Sequence, residues 1–175
     1  MNEIQLKICD IQGRLFELSA EKKYDSINFI KAFMMSNVAK ELDSSYNRMQ
    51  WAGEEYLLEK VAAAAGETLT NNGEIFSADM LYWIGYLYRY WHYYSGEDSA
   101  KIYKQAPAMT MKRNYMLFHT MDPVLAIEDL KEIYNQKKCK RQTMRTYANF
   151  KKYERMLLTV IAKTSRCYHR KEHSL

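Results

Sequence analysis

Cys167, His169 and His173 place one thiol and two imidazoles near the end of a 175-residue chain, the imidazoles four residues apart. That spacing puts both rings on one side of a helix, where they could hold a zinc-like ion. The surrounding residues are Arg170 and Lys171 rather than a fourth ligand or the carboxylates that orient ligating rings. A solvated tail is the expectation, and neither a metal nor any other cofactor is assigned. Upstream, Lys137-Lys138-Cys139-Lys140-Arg141 opens a basic stretch in which Arg145, Lys151, Lys152 and Arg155 alternate with Tyr147, Phe150 and Tyr153. Cations at this density contact phosphates and the rings can stack on bases, which makes the stretch a candidate nucleic-acid-binding site. Two other readings fit the same residues. The stretch could dock on an acidic protein, including the body of another copy. It could also pack on the chain's own acidic body, with Met144, Tyr147, Phe150, Leu157 and Ile161 as the buried stripe.

A second constellation is Leu81-Tyr-Trp-Ile-Gly-Tyr-Leu-Tyr-Arg-Tyr-Trp-His-Tyr-Tyr94, with aromatic rings at eight of fourteen positions. On a helix these positions cover every face, whereas a core needs only one stripe. Rings beyond that stripe must meet other helices, each other or a partner. Tyr86, Tyr90, Tyr93 and Tyr94 are the candidate partner-binding residues, because Tyr supplies rigid contact area with a polar tip. The competing reading is a central helix enclosed by its own domain, with Trp83 and Trp91 at the buried heart.

Arg113-Asn-Tyr-Met-Leu-Phe-His119 resembles the Arg–(four to six residues)–His motif of HEPN-type ribonucleases, where the polar residue after the Arg is commonly Asn, as Asn114 is here. The resemblance implies an all-helical, metal-independent endoribonuclease, with His119 as acid/base or transition-state ligand and Arg113 as phosphate clamp. A broader resemblance runs over about residues 46–136. It is carried by Tyr46-Asn-Arg-Met-Gln-Trp-Ala-Gly-Glu-Glu-Tyr56, Tyr82 to Tyr94, and Phe118-His-Thr-Met-Asp-Pro-Val-Leu-Ala-Ile127. These stretches are similar to small, uncharacterised, all-helical bacterial proteins encoded beside genes of toxin–antitoxin character, including ADP-ribosyltransferase-like ones. That resemblance implies an antitoxin-like, non-enzymatic role in protein–protein interaction and carries over no catalytic residue.

The elements that must position these residues read as helices throughout. Six Gly, two Pro and only four Val argue against strands, and long runs rich in Met, Leu, Ala, Glu and Lys argue for an all-α fold of six to eight helices. Residues 1–136 hold 14 Lys and Arg against 19 Asp and Glu, net −5; residues 137–175 hold 12 against 2, net +10. The division predicts an acidic helical body at 1–136 and a basic C-terminal helix and tail at 137–175, packed on the same domain. The expected partner is a protein or a second copy of the chain, with nucleic acid as the alternative for the basic end. The acidic start excludes a signal peptide, no apolar run is long enough for a membrane span, and three scattered Cys fit reduced thiols in a cytoplasmic protein.

Element by element, Ile4, Ile8, Ile11, Leu15 and Leu18 predict one helix with a single apolar stripe. Asp25 or Ser26 caps a second helix, and Asn37–Leu42 adds a turn or two. Residues 48–65 read as one helix with Trp51, Leu58 and Val61 pointing inward and Gly66 as its stop. Asn72-Gly73 predicts a small surface hairpin. Ser77 caps the aromatic helix, which ends before Gly96. Pro107 and Pro123 each start a helix, the latter capped by Asp122 and ending near Lys138. A separate basic helix is expected from Lys140 to about Thr164.

Overall fold

The computed structural model describes residues 1–44 and 48–172, with side chains for all of these except Glu67 and residues 157–172. It is all-α: α1 Glu3–Glu21, α2 Ser26–Met34, α3 Asn37–Asp43, α4 Glu54–Ala65, α5 Ala78–Ser95, α6 Ser99–Gln105, α7 Ala108–Phe118 and α8 Pro123–Glu172. Two short 3-10 turns, Arg48–Trp51 and Gly66–Thr68, flank α4, and no strand occurs among the described residues. The chain divides into two units, Met1–Glu132 and Ile133–Leu175. No helix among the described residues is long and apolar enough to cross a membrane.

Local chemistry sets most helix starts. Asn2 and Gln5 form a reciprocal capping box at α1. Asp25, Ser36 and Asp98 each accept a hydrogen bond from the backbone N–H three residues on, opening α2, α3 and α6. Ser77 does the same for α5, and Asp122 accepts from Val124 N–H at 2.8 Å to open α8. Gly66 and Gly96 close α4 and α5 at φ +52° and +70°, where a side chain would be strained.

The first unit is organised by α1 against α5. Their backbones approach so closely that a Cβ on Gly85 would lie 2.5 Å from the Gln12 carbonyl oxygen, and one on Gly13 would lie 2.8 Å from the Tyr82 ring. Below this crossing, Phe16 meets the Phe29, Phe33 and Tyr88 rings edge-on at 5.4, 5.1 and 6.4 Å. Leu57, Leu58 and Val61 of α4, Ile102 of α6, Met111 of α7 and Ile127 and Leu130 of α8 complete the core.

Several expectations need correction. The α1 stripe is rotated from the predicted one: Ile8, Cys9, Gln12, Leu15 and Phe16 are buried, while Ile4 is 53% exposed. The helix expected over 48–65 is broken at Ala52-Gly53, and Trp51 lies outside it, 74% exposed. No hairpin forms at Asn72-Gly73. The loop instead pairs with the start of α2, the Asp25 and Ser26 N–H groups donating to the Thr70 and Glu74 carbonyls and Phe76 N–H donating to Ser26 Oγ. Gly73 lies against the Asp25 carboxylate, where any Cβ would collide. A short helix not expected from the sequence, α6, follows Asp98. The break expected near Lys138–Lys140 does not occur, because α8 runs on without interruption.

Candidate functional site

The aromatic run folds into α5, and the structure sorts its residues by face. Leu81, Ile84, Gly85, Leu87, Tyr88, Arg89 and Trp91 are buried. At about 100° per residue, Tyr82, Tyr93, Tyr86, Tyr90, Trp83 and Tyr94 fall on the remaining arc of about 120°. The first five are half-buried and Tyr94 is exposed. The outward face of α5 from Tyr82 to Tyr94 is therefore built of aromatic rings, where an ordinary surface helix carries charge.

Within that face, Tyr82, Tyr86 and Tyr90 form a ladder, neighbouring ring centroids 6.2 Å apart. Tyr94 extends the i,i+4 row, making it about 18 Å long. Tyr82 donates to Asp10 at 2.7 Å, and Arg14 holds the same carboxylate at 2.9 Å. Burial, with help from that hydrogen bond, pushes the Tyr82 phenol up to about 12. Burial also raises Tyr86 and Tyr93, and a hydrogen bond to Glu128 raises Tyr94, so these phenols stay neutral donors. The Tyr93 hydroxyl is buried and has no hydrogen-bond partner among the described residues. The Lys131 ammonium sits 5.4 Å from the Tyr94 ring centroid.

The buried side of the same helix holds a polar cluster that sequence reading missed. Arg89 is fully buried; its Nε donates to Gln12 Oε1 and its Nη1 to Asp43 Oδ1, both at 2.7 Å. Ser99 donates to Asp43 twice, from Oγ to Oδ1 and from the backbone N–H to Oδ2, each at 2.7 Å. Gln12 Nε2 donates to the Gly85 carbonyl at 3.0 Å, closing the network over the α1–α5 crossing. His92 lies beside it with Nδ1 2.8 Å from the Glu97 carbonyl and 3.6 Å from Asp43 Oδ1. Burial and then the Arg89 charge hold its pKa below the ordinary imidazole value.

Ser99, His92 and Asp43 thus stand together without forming a nucleophilic relay. The Ser99 hydroxyl donates to the carboxylate instead of to the imidazole, and both Asp43 oxygens are engaged. A cleft of about 350 Å³ adjoins the cluster, lined by Lys40, Asp43, Asp98 and Ser99 among others. The cluster ties α1, α3, α5 and α6 together and is structural in its chemistry.

Arg113 and His119 are both exposed at the far end of the first unit's sequence, on α7 and at its C-cap. Their six-residue separation turns them about 120° apart round the helix. His119 stacks on Tyr115 at 4.7 Å, with Nδ1 2.9 Å from the Tyr115 carbonyl, and Asn114 donates to the Thr110 carbonyl at 2.7 Å. Lys112, beside Arg113, pairs with Glu74.

On α8, Lys138, Lys140, Arg141, Arg145, Lys151, Lys152 and Arg155 are exposed, as are Met144, Tyr147, Phe150 and Tyr153. The side chains of Leu157, Ile161, Cys167 and His169, and His173 altogether, lie outside the described residues. No group of three or more His, Cys, Asp or Glu with metal-binding geometry occurs among the described residues. Cys9 is buried, its thiol pushed up to about 12 by burial, and Cys139 is an exposed free thiol. The chain matches no protein-family model, no curated protein and no solved structure.

Proposed function

We propose that the chain is a non-enzymatic, cytoplasmic protein-interaction module, antitoxin-like in role, that captures a partner protein on the aromatic face of α5. One observation carries this reading: the outward arc of α5 presents five tyrosines and a tryptophan where solvent alone would favour charged side chains. Tyr86, Tyr90, Tyr93 and Tyr94 supply the contact area, and Tyr86 and Tyr90 are already ordered by the ladder, so little entropy of those two rings remains to be lost on docking.

The test is affinity capture with the full chain as bait, beside a Tyr90→Ser/Tyr94→Ser variant. Both sites are half-buried or exposed, so the variant should melt within a few degrees of the parent. A partner retained by the parent and lost by the variant is the expected result. Loss of tenfold or more in affinity corresponds to about 1.4 kcal/mol, modest for two interface tyrosines. Equal capture by both proteins would remove α5 as the docking face.

A further inference from the structure

We propose that the cationic side of α8 is a docking surface for duplex DNA, held through contacts to phosphates. The sequence mixes cations and rings, but the helix turns Phe150 and Tyr153 away from the cations. At about 100° per residue, the seven cations from Lys137 to Lys152 fall within an arc of about 160°. Phe150 and Tyr153 lie about 160° and 140° from the middle of that arc, and Tyr147 stands at its border, with the Lys151 ammonium 5.8 Å from its ring centroid. The one carboxylate between residues 133 and 156, Glu154, also falls on the ring side. None of the seven cations is in an ion pair among the described residues.

Three features select the partner. Every residue from Asn135 to Met156 is exposed. A helix free round its circumference is about 10–12 Å across, and the major groove of B-form DNA is about 12 Å wide. Next, Lys137 to Lys152 spans about 22 Å of helix, the length over which one DNA strand places about six phosphates. An acidic protein surface mixes signs, as residues 1–136 of this chain do with 14 cations among 19 anions, whereas a duplex offers anions alone. Third, binding single strands by stacking needs rings and cations on one side, and here Phe150 and Tyr153 face away from the cations, leaving Tyr147 alone at their border. A-form RNA has a major groove too narrow for a helix to enter.

The experiment is fluorescence anisotropy of the full chain with a labelled DNA duplex of ~20 bp, over salt from about 50 to 200 mM. Four phosphate contacts would give a log–log slope near about −3.6. Lys140→Gln/Arg141→Gln/Arg145→Gln should remove about 2.7 from that slope and weaken binding at least about tenfold at low salt, with unchanged helicity by circular dichroism. Phe150→Gln/Tyr153→Gln, on the other side, should bind DNA as the parent does. Four results would overturn the proposal: no binding by the parent at low salt, a slope the charge variant leaves unchanged, tighter binding of single strands or of an RNA duplex, or loss of binding in the ring variant. Salt-sensitive self-association that the charge variant abolishes, in the absence of DNA affinity, would assign the surface to the acidic body of a second copy.

Discussion

Arg89 and Arg145 both stand among tyrosines on helices of this chain, yet Arg89 is 0% exposed and Arg145 is open to water. The difference lies in what each helix meets. In α5, neighbouring elements bring Asp43, Gln12 and Ser99 within hydrogen-bonding distance of the guanidinium, so one cation can be enclosed and its donors satisfied. Along α8 the cations repeat on one side without carboxylates among them, and no enclosed network could neutralise so many. The rings diverge in the same way: on α5 they fill a core on one side and form an ordered outer ladder on the other, while on α8 Tyr147, Phe150 and Tyr153 are 59%, 65% and 67% exposed. Local composition alone therefore does not distinguish a buried cation from a solvent-exposed one; the polar partners supplied by distant residues do.

The sharpest way to test this division is within α5 itself. Trp91 is fully buried and donates from Nε1 to Glu97, whereas Trp83 is half-buried and meets Tyr115 edge-on at 5.5 Å. Trp91→Ala should cost about 3–5 kcal/mol and Trp83→Ala about 1–2, measured by urea unfolding. Equal losses would mean that both faces of α5 are core, and the outer face could not then be reserved for a partner.

The buried cation comes next in size. Arg89→Met leaves Asp43 enclosed without its guanidinium and should cost about 3 kcal/mol, at the lower end for buried pairs because Asp43 keeps 11% of its side-chain surface exposed. Adding Asp43→Asn removes the stranded charge and should recover part of the loss. A double variant no more stable than the single one would show that Arg89 contributes by packing and not by its charge.

The smallest expected effect is a pH dependence at His92. Its folded-state pKa is lowered by burial and by Arg89, so just below the ordinary imidazole value of about 6.5 the unfolded chain binds the extra proton. Its contribution to stability is full above that value and is lost as pH falls through the folded-state pKa. Melting temperature followed from about pH 7.5 to 5.5 should fall less in His92→Gln than in the parent. Parallel curves would place the acid sensitivity elsewhere.

Much of this architecture was legible in the sequence. Capping residues, Pro at helix starts and scarce Gly locate α1, α2, α5, α7 and the start of α8, because these signals act within a few residues. Seven-residue α6 is too short for periodicity to register, and its Asp98 cap was not singled out. The absence of Gly and Pro after Pro123 was the true sign of α8's continuity, outweighed in reading by the charge change near Gln136. Asn72-Gly73 lacked flanking strands, and its backbone found partners at Asp25 and Ser26 instead. The aromatic density flagged the α5 tyrosines, but nothing local announced that Arg89 would be buried, since its partners Gln12 and Asp43 stand 77 and 46 residues away.

The glycine-to-backbone crossing of α1 and α5 also sets a schedule for synthesis. Gln12 and Gly85, hydrogen-bonded in the finished fold, are 73 residues apart in the chain. At about 5–20 residues per second, α1 leaves the ribosome about 4–15 s before the surface it must cover has been made. Through that interval Ile8, Leu15 and Phe16 have no α5 to bury them, so α1 cannot be secured in its final packing until α5 has been made.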